Sequence, residues 1–293
     1  MPNLEISRGE RLDQRVVSLM PLLSRSFAVQ LIRDGKVTIN GVVATKAGAK
    51  IRPEDDVVLD YNLDDFTIPE IELPILYEDD DCVVIVKPIG LLTHSKGAFN
   101  PEPSVATWLH NRIVDETLLD ADKDSLNNRA GIVHRLDRAT SGVMICAKTP
   151  EALSWLQKQF ATRNVHKTYM AVVSGSLTPK EAVIDMPIGR NPKAPATFRV
   201  DIQGKPATTT YKVVAENGKH TLVELKPKTG RTHQLRVHLN HQHHSIVGDT
   251  LYGGEPADRL YLHAQELEIT IPAGHERKVF QAPLPSEFME LVQ

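Results

Sequence analysis

The chain has 293 residues, 41% of them apolar and 24% charged, which is the balance of an ordinary folded protein long enough for about two domains and argues against wholesale disorder. No run of 18 apolar residues is present, which argues against a membrane-spanning helix, and the first ten residues lack the apolar stretch of a secretory leader. Two cysteines, Cys82 and Cys146, each set among branched apolar residues, exclude a disulfide scaffold and favour a cytoplasmic setting.

The net charge of −3 conceals a division. From Pro53 to Val86 there are twelve acids and no Lys or Arg, which leaves 34 basic against 25 acidic residues elsewhere. A basic chain interrupted by an acidic connector suits a polyanionic partner.

In chain order, residues 8–60 read as a small helical unit that ends in a hairpin. Ser24 or Ser26 can cap a helix whose apolar residues Ala28, Leu31 and Ile32 follow i, i+3, i+4 spacing. Gly35 is placed to end it in a left-handed conformation. Asn40-Gly41 between Val37-Thr38-Ile39 and Val42-Val43 is a strong hairpin signal. Arg11, Arg15, Arg25, Arg33, Lys36, Lys46, Lys50 and Arg52 cluster here. Residues 61–74, acidic and with two prolines, read as a linker.

From Ile75 to about 290, strand-like runs alternate with helical segments. Ser104 can cap a helix carrying Val105, Trp108, Leu109 and Ile113, and Thr149-Pro150 supplies a cap followed by proline at the first helical position. Short joins between the later runs predict an α+β domain on a mixed, largely antiparallel sheet.

Four stretches in this region could carry chemistry. Lys87–His94 follows an apolar strand and, taken alone, reads as a turn. Gly131–Val143 places Asp137 between Arg135 and Arg138; such an acid is usually a surface ion pair, but held ionised by cations it could serve as base or nucleophile. In His166–Val173, strand alternation puts Lys167 and Tyr169 on one face, where a tyrosine is more often core than site. In Thr229–Leu239 the same alternation predicts a strand with Thr232, Gln234, Arg236 and His238 on one face and His233 on the other. Arg236, if buried, needs a carboxylate partner such as Asp137.

Six histidines lie between His220 and His244, but their spacing matches no metal motif and no Cys or carboxylate set completes one, so no metal is expected. No glycine-rich phosphate loop is present, so no nucleotide cofactor is expected either.

GIVHRLDRATSGV, HKTYMAVVSG, LKPKTGRTHQLRVHL and VGDTLYGG, in that order, with KPIGLLTH before them and LHAQEL after, resemble the motifs of the RluA/RluD-type pseudouridine synthase family across about residues 75–290. Residues 8–60 resemble the α-L RNA-binding module, which also occurs in a small-subunit ribosomal protein and in bacterial tyrosyl-tRNA synthetases. Two positions depart from the family pattern: Ser95 after the first-motif His, and Ser245 within His-Ser-Ile.

This resemblance implies the pseudouridine synthase fold and an isomerase that converts uridine to pseudouridine in structured RNA without metal or cofactor. By matched position it implies Asp137 as the catalytic aspartate, Tyr169 as the residue stacked on the target uracil and involved in loss of the C5 proton, and Arg236 as the partner of the aspartate. RNA contacts are expected from Arg11, Arg25, Arg33, Lys36, Arg135, Arg138, Lys167 and Arg231. Large-subunit ribosomal RNA is the expected partner, with tRNA second, for a monomer in the cytoplasm. The rival readings are a catalytically inactive RNA-binding protein on the same fold and a His-rich metal-dependent hydrolase.

Overall fold

The computed structural model describes residues 9–21, 23–61, 68–94, 102–113, 115, 117–118 and 129–293. The N-terminal unit begins with β1 (Glu10–Arg11), α1 (Leu12–Leu19) and α2 (Arg25–Arg33). The Ser24 side chain accepts the Phe27 N–H and caps α2, and Gly35 follows it at φ +74°. The predicted i, i+3, i+4 face is the buried one: Ala28, Leu31 and Ile32 pack with Leu12, Val16, Val37 and Ile51. β2 (Val37–Ile39) turns at Asn40 and Gly41, both at positive φ as a tight hairpin requires, into β3 (Val42–Val43). β4 (Lys50–Ile51) pairs with β1, and β5 (Val57–Leu59) pairs with β2.

Of the predicted linker 61–74, residues 62–67 lie outside the described ones. On its near side Tyr61 packs against the N-terminal core. On its far side Leu73 and Ile71 pack into the larger unit.

That unit is built on a nine-stranded sheet. Its strands are β6 (Ile75–Glu78), β7 (Cys82–Lys87), β8 (Ser141–Ala147), β9 (His166–Ser174), β10 (Glu181–Asp185), β13 (Thr208–Glu216), β14 (His220–Pro227), β15 (Leu262–Thr270) and β16 (Arg277–Gln281). They run in the order β10-β13-β14-β9-β15-β8-β7-β6, with β16 on β15. The β8–β15 pairing is parallel and every other pairing in the sheet is antiparallel. This is the mixed, largely antiparallel α+β sheet expected from the sequence. A separate hairpin, β11 (Ile188–Arg190) with β12 (Phe198–Val200), stands beside it.

Period-two alternation explains why the central strands are apolar throughout. Val143, Ile145 and Ala147 of β8 face α4 (Pro150–Ala161) through Ala152 and Leu156. Met144 and Cys146 face α3 (Val105–His110) through Val105, Trp108 and Leu109. All seven residues of β8 are therefore buried. Ser104 caps α3 in a reciprocal capping box with Thr107, and Thr149 caps α4 ahead of Pro150. Helix α5 (Gln234–His241) and the short C-terminal α6 (Ser286–Glu290) complete the unit, with Leu235, Leu239 and Phe288 in the core between β9, β14 and β15. Among the described residues no helix is long and apolar enough to cross a membrane.

The alternation in Thr232–Leu239 does not make a strand: Gln234–His241 is helical. The helix is buried on nearly every side, so no periodicity betrays it. Its buried polar side chains are satisfied individually. Gln234 accepts from Thr229 Oγ1 and donates to the Thr208 carbonyl, and His238 lies 3.0 Å from both Thr209 Oγ1 and the Met186 carbonyl.

Candidate active site

The loop leading into β8 carries Asp137 into the lining of a cleft of about 540 Å³, with Arg135, Arg163, Lys167, Tyr169, Arg231, His233 and Arg236. That volume is within the range usual for ligand sites, about 300–1,000 Å³.

The position of Asp137 is set by the first motif, which alone reads only as a turn. The Lys87 ammonium is fully buried and donates to the carbonyls of Pro88 (2.8 Å), Leu91 (2.9 Å) and Arg138 (3.3 Å). Gly90 N–H donates to the Arg138 carbonyl, and Arg138 Nε donates back to the Gly90 carbonyl. Thr93 Oγ1 donates to the Leu136 carbonyl at 2.8 Å and accepts its N–H at 3.3 Å. The residues on both sides of Asp137 are thereby bolted to residues 87–93. Burial pulls the Lys87 pKa down to about 7, while the charge of Asp137 opposes that shift.

Opposite Asp137 stands the N-terminal end of α5. Arg236 Nη1 is 3.7 Å from Asp137 Oδ2, and His233 Nε2 is 3.8 Å from the same oxygen. The expected Arg236–Asp137 proximity is present, but Asp137 is not the main partner. Arg236 donates through Nε and Nη2 to the two carboxylate oxygens of Asp249, each at 2.7 Å. The fork-shaped guanidinium matches a carboxylate in this bidentate way. Asp249 raises the Arg236 pKa against a burial effect that lowers it. Tyr252 lies under the guanidinium, 4.9 Å from the ring centroid.

Tyr169 is half-buried on β9 and lines the cleft, sharing a face with Lys167 as the alternation predicts. Burial, with a contribution from Asp137, holds the Tyr169 hydroxyl well above its ordinary pKa, so it is a phenol near neutral pH. Burial lowers the Lys167 pKa.

Of the expected RNA contacts, Arg135, Lys167 and Arg231 line the cleft. Arg138 turns away from it, to Glu102 at 2.9 Å. Arg11 and Arg25 both bind the buried Asp13, while Arg33 and Lys36 are exposed. The histidines are dispersed: His220 pairs with Glu255, His238 is buried in α5, and His244 meets the Ser174 carbonyl. Among the described residues no group of three or more His, Cys, Asp or Glu is arranged to hold a metal ion.

Sequence reasoning passes over Lys87, Arg163, His233 and Asp249 as site residues. Asp249 lies in VGDTLYGG, and an acid within a family motif is the available signal. Strand alternation puts His233 on the face opposite Arg236; instead it adopts a left-handed conformation at φ 56° that turns it toward Asp137.

The chain is similar to known proteins over most of its length. The RNA pseudouridylate synthase family matches residues 81–241, and the S4 domain matches residues 10–57. The large-subunit ribosomal pseudouridine synthase D of Vibrio parahaemolyticus is 36% identical over 304 residues, covering 97% of this chain and 90% of that protein. Its counterpart from Yersinia pestis is 37% identical, covering 98% and 91%. Among solved structures, human RNA pseudouridylate synthase domain containing 1 superposes with a TM-score of 0.58 at 28% identity, covering 72% of this chain and 83% of that one. The chain belongs to the RNA pseudouridylate synthase family: it is an RNA pseudouridine synthase, an isomerase, with an S4 domain at its N-terminal side.

Proposed function

We propose that the chain converts uridine to pseudouridine in large-subunit ribosomal RNA, with Asp137 acting at the sugar. The observation that carries the assignment of Asp137 is its setting: a half-buried carboxylate lining the cleft, with a guanidinium nitrogen and an imidazole nitrogen beside Oδ2 at 3.7 and 3.8 Å and, among the described residues, no hydrogen bond to either oxygen. The choice of RNA is supported by the named activity of relatives that align over 97–98% of the chain.

The reaction breaks the C1′–N1 bond, leaving the electron pair on uracil N1 and electron deficiency at C1′. Asp137 offsets that deficiency with its negative charge or by bonding to the sugar. The base then turns, C5 bonds to C1′, the C5 proton leaves and N1 is protonated. Product and substrate are isomers, so the reaction consumes no net oxidant or reductant.

A uridine within a helix must first leave its stack, at a cost of a few kcal/mol. Stacking on the Tyr169 ring offsets about 1–3 kcal/mol of this. As a phenol, Tyr169 is suited to stacking, and its hydroxyl oxygen can take part in loss of the C5 proton by accepting it while releasing its own proton to solvent. Arg135, Lys167 and Arg231 contact backbone phosphates around the cleft, and Arg33 and Lys36 extend the contact through the N-terminal unit, which fixes register without reading sequence. The enzyme acts as a monomer in the cytoplasm.

Pseudouridine mapping of total RNA from cells with and without this chain tests the target. Loss of one or more sites in large-subunit ribosomal RNA is expected. Loss confined to tRNA would overturn the ribosomal assignment, and no lost site in any RNA would overturn the proposal as a whole.

A further inference from the structure

His233 is held in a way that its backbone alone does not require. It occupies the cap position of α5 in a left-handed conformation, yet its side chain makes no capping hydrogen bond. The ring is instead boxed by aromatic edges, Phe198 at 5.7 Å and Tyr252 at 5.6 Å between centroids. Its Nδ1 lies 2.8 Å from the Tyr252 hydroxyl. That hydroxyl already accepts the Phe198 N–H at 2.9 Å, so its own proton is available for Nδ1. A neutral ring that accepts at Nδ1 carries its proton on Nε2, and Nε2 is the atom that faces Asp137 Oδ2, 3.8 Å away.

We propose that His233 is a positioning residue for Asp137: the backbone N–H of Phe198 and the Tyr252 hydroxyl fix the ring tautomer, and the resulting Nε2–H, together with Arg236, holds Oδ2 so that Oδ1 is left to meet the sugar. The inference rests on the role of Asp137 argued above.

Charged and titratable neighbours act on the ring from every side. Burial lowers the His233 pKa, Asp137 and Asp249 push it up, and Arg236 and Arg135 push it down, with lowering the net direction. The ring is therefore neutral near pH 7, as the tautomer argument needs. A separation of 3.8 Å is loose for a hydrogen bond, but such contacts commonly tighten once substrate excludes water.

The experiment has two arms. In the first, the histidines of the wild-type chain are labelled with ¹⁵N, and His233 is assigned by difference against His233→Gln. An Nε2-protonated ring is expected; an Nδ1-protonated or doubly protonated ring near neutral pH overturns the proposal. In the second arm, pseudouridine formation is measured for wild type, Asp137→Asn, His233→Leu, His233→Gln and Tyr252→Phe, by tritium release from a 5-tritiated uridine transcript that the wild-type chain converts. Leu and Gln meet the same left-handed backbone, so their difference isolates the donor.

His233→Leu should lower kcat by about 10–100-fold, the scale of a misplaced reacting group, with KM within about twofold. His233→Gln should recover most of that loss, and Tyr252→Phe should show a smaller fall in kcat. A His233→Leu enzyme with wild-type kcat, or one whose loss lies in KM alone or is shared equally by Gln, overturns the assignment of His233 while a dead Asp137→Asn leaves the aspartate reading intact. Turnover retained in Asp137→Asn overturns both.

Discussion

Asp13 in the N-terminal unit and Asp137 in the cleft both sit between two cationic or donor side chains, and their geometry separates a carboxylate that builds the fold from one available for chemistry. Asp13 has a side chain only 2% exposed and accepts four hydrogen bonds, from Arg11 Nε and Nη2 at 2.9 Å and from Arg25 Nε and Nη2 at 3.0 Å. Asp249 is held by one arginine, with Arg236 donating one hydrogen bond to each of its oxygens. Asp137 is 22% exposed, and its neighbours stop at 3.7 and 3.8 Å. A buried acid must have its oxygens satisfied to be tolerated. A partly exposed acid left short of partners in the lining of a cleft keeps its oxygens for a substrate.

Arg236→Ala breaks this contrast most severely. It strips the buried Asp249 of both its bonds and Asp137 of a cation. Loss of one partner from a buried pair typically costs about 3–5 kcal/mol, so thermal melting should fall by many degrees and turnover should drop as well. Asp249→Asn should reproduce much of the stability loss, because Arg236 then faces only a neutral amide. An unchanged melting temperature in both variants would show that the pair is dispensable.

Gly142→Ala tests how the sheet carries the loop of Asp137. A Cβ there would sit 2.1 Å from the Ala264 carbonyl oxygen, at a φ of +121°. Overpacking against backbone costs about 1–3 kcal/mol and the strained dihedral about as much again. The parallel β8–β15 pairing should open, with loss of stability and of turnover together; a variant that loses neither would refute the close packing.

Asp13→Asn should cost less, about 1–3 kcal/mol, because the two arginines are 40% and 54% exposed and remain hydrated. The effect should be confined to the N-terminal unit, read by hydrogen exchange of α1 and α2. The hydrogen bond from Arg11 is the chief cause holding the Asp13 pKa below its ordinary value of 3.8. Stability from this group is therefore fully present above the ordinary carboxylate range and lost as pH falls through the lowered value. The stability gap between wild type and Asp13→Asn should narrow over that same fall in pH, and a gap that stays constant would contradict the assignment.

The smallest effect is expected from Arg33→Ala with Lys36→Ala. RNA binding should weaken modestly, and the slope of log affinity against log salt should become shallower by about 1 for each phosphate that is no longer neutralised. An unchanged slope would remove these residues from the interface.

Much of this is legible because local signals agree with the fold. Ser24, Asn40-Gly41, Ser104 and Thr149-Pro150 mark elements whose caps and turns are as expected, and runs such as Cys82–Lys87 are apolar enough to be strands. The sequence misleads where polar groups are buried and individually satisfied. Gln234, Arg236 and His238 break the apolar pattern of α5 and imitate a strand. Asp249 cannot be paired with Arg236 by pattern alone, since the bond depends on how α5 and the following turn pack. Lys87 looks like the end of a strand, because its burial is completed by the Arg138 carbonyl, from a loop some fifty residues away.

Single-turnover pseudouridine formation by Asp137→Asn, with RNA binding and melting measured on the same preparation, tests the central contrast most directly. Asparagine keeps the shape and removes the charge, and no close hydrogen bond is broken. Melting and RNA affinity should stay close to wild type while the rate falls by at least about 10³-fold. A rate within about tenfold of wild type would contradict the account, and so would a fall in melting temperature comparable to that of Asp249→Asn, which would make Asp137 one more structural carboxylate.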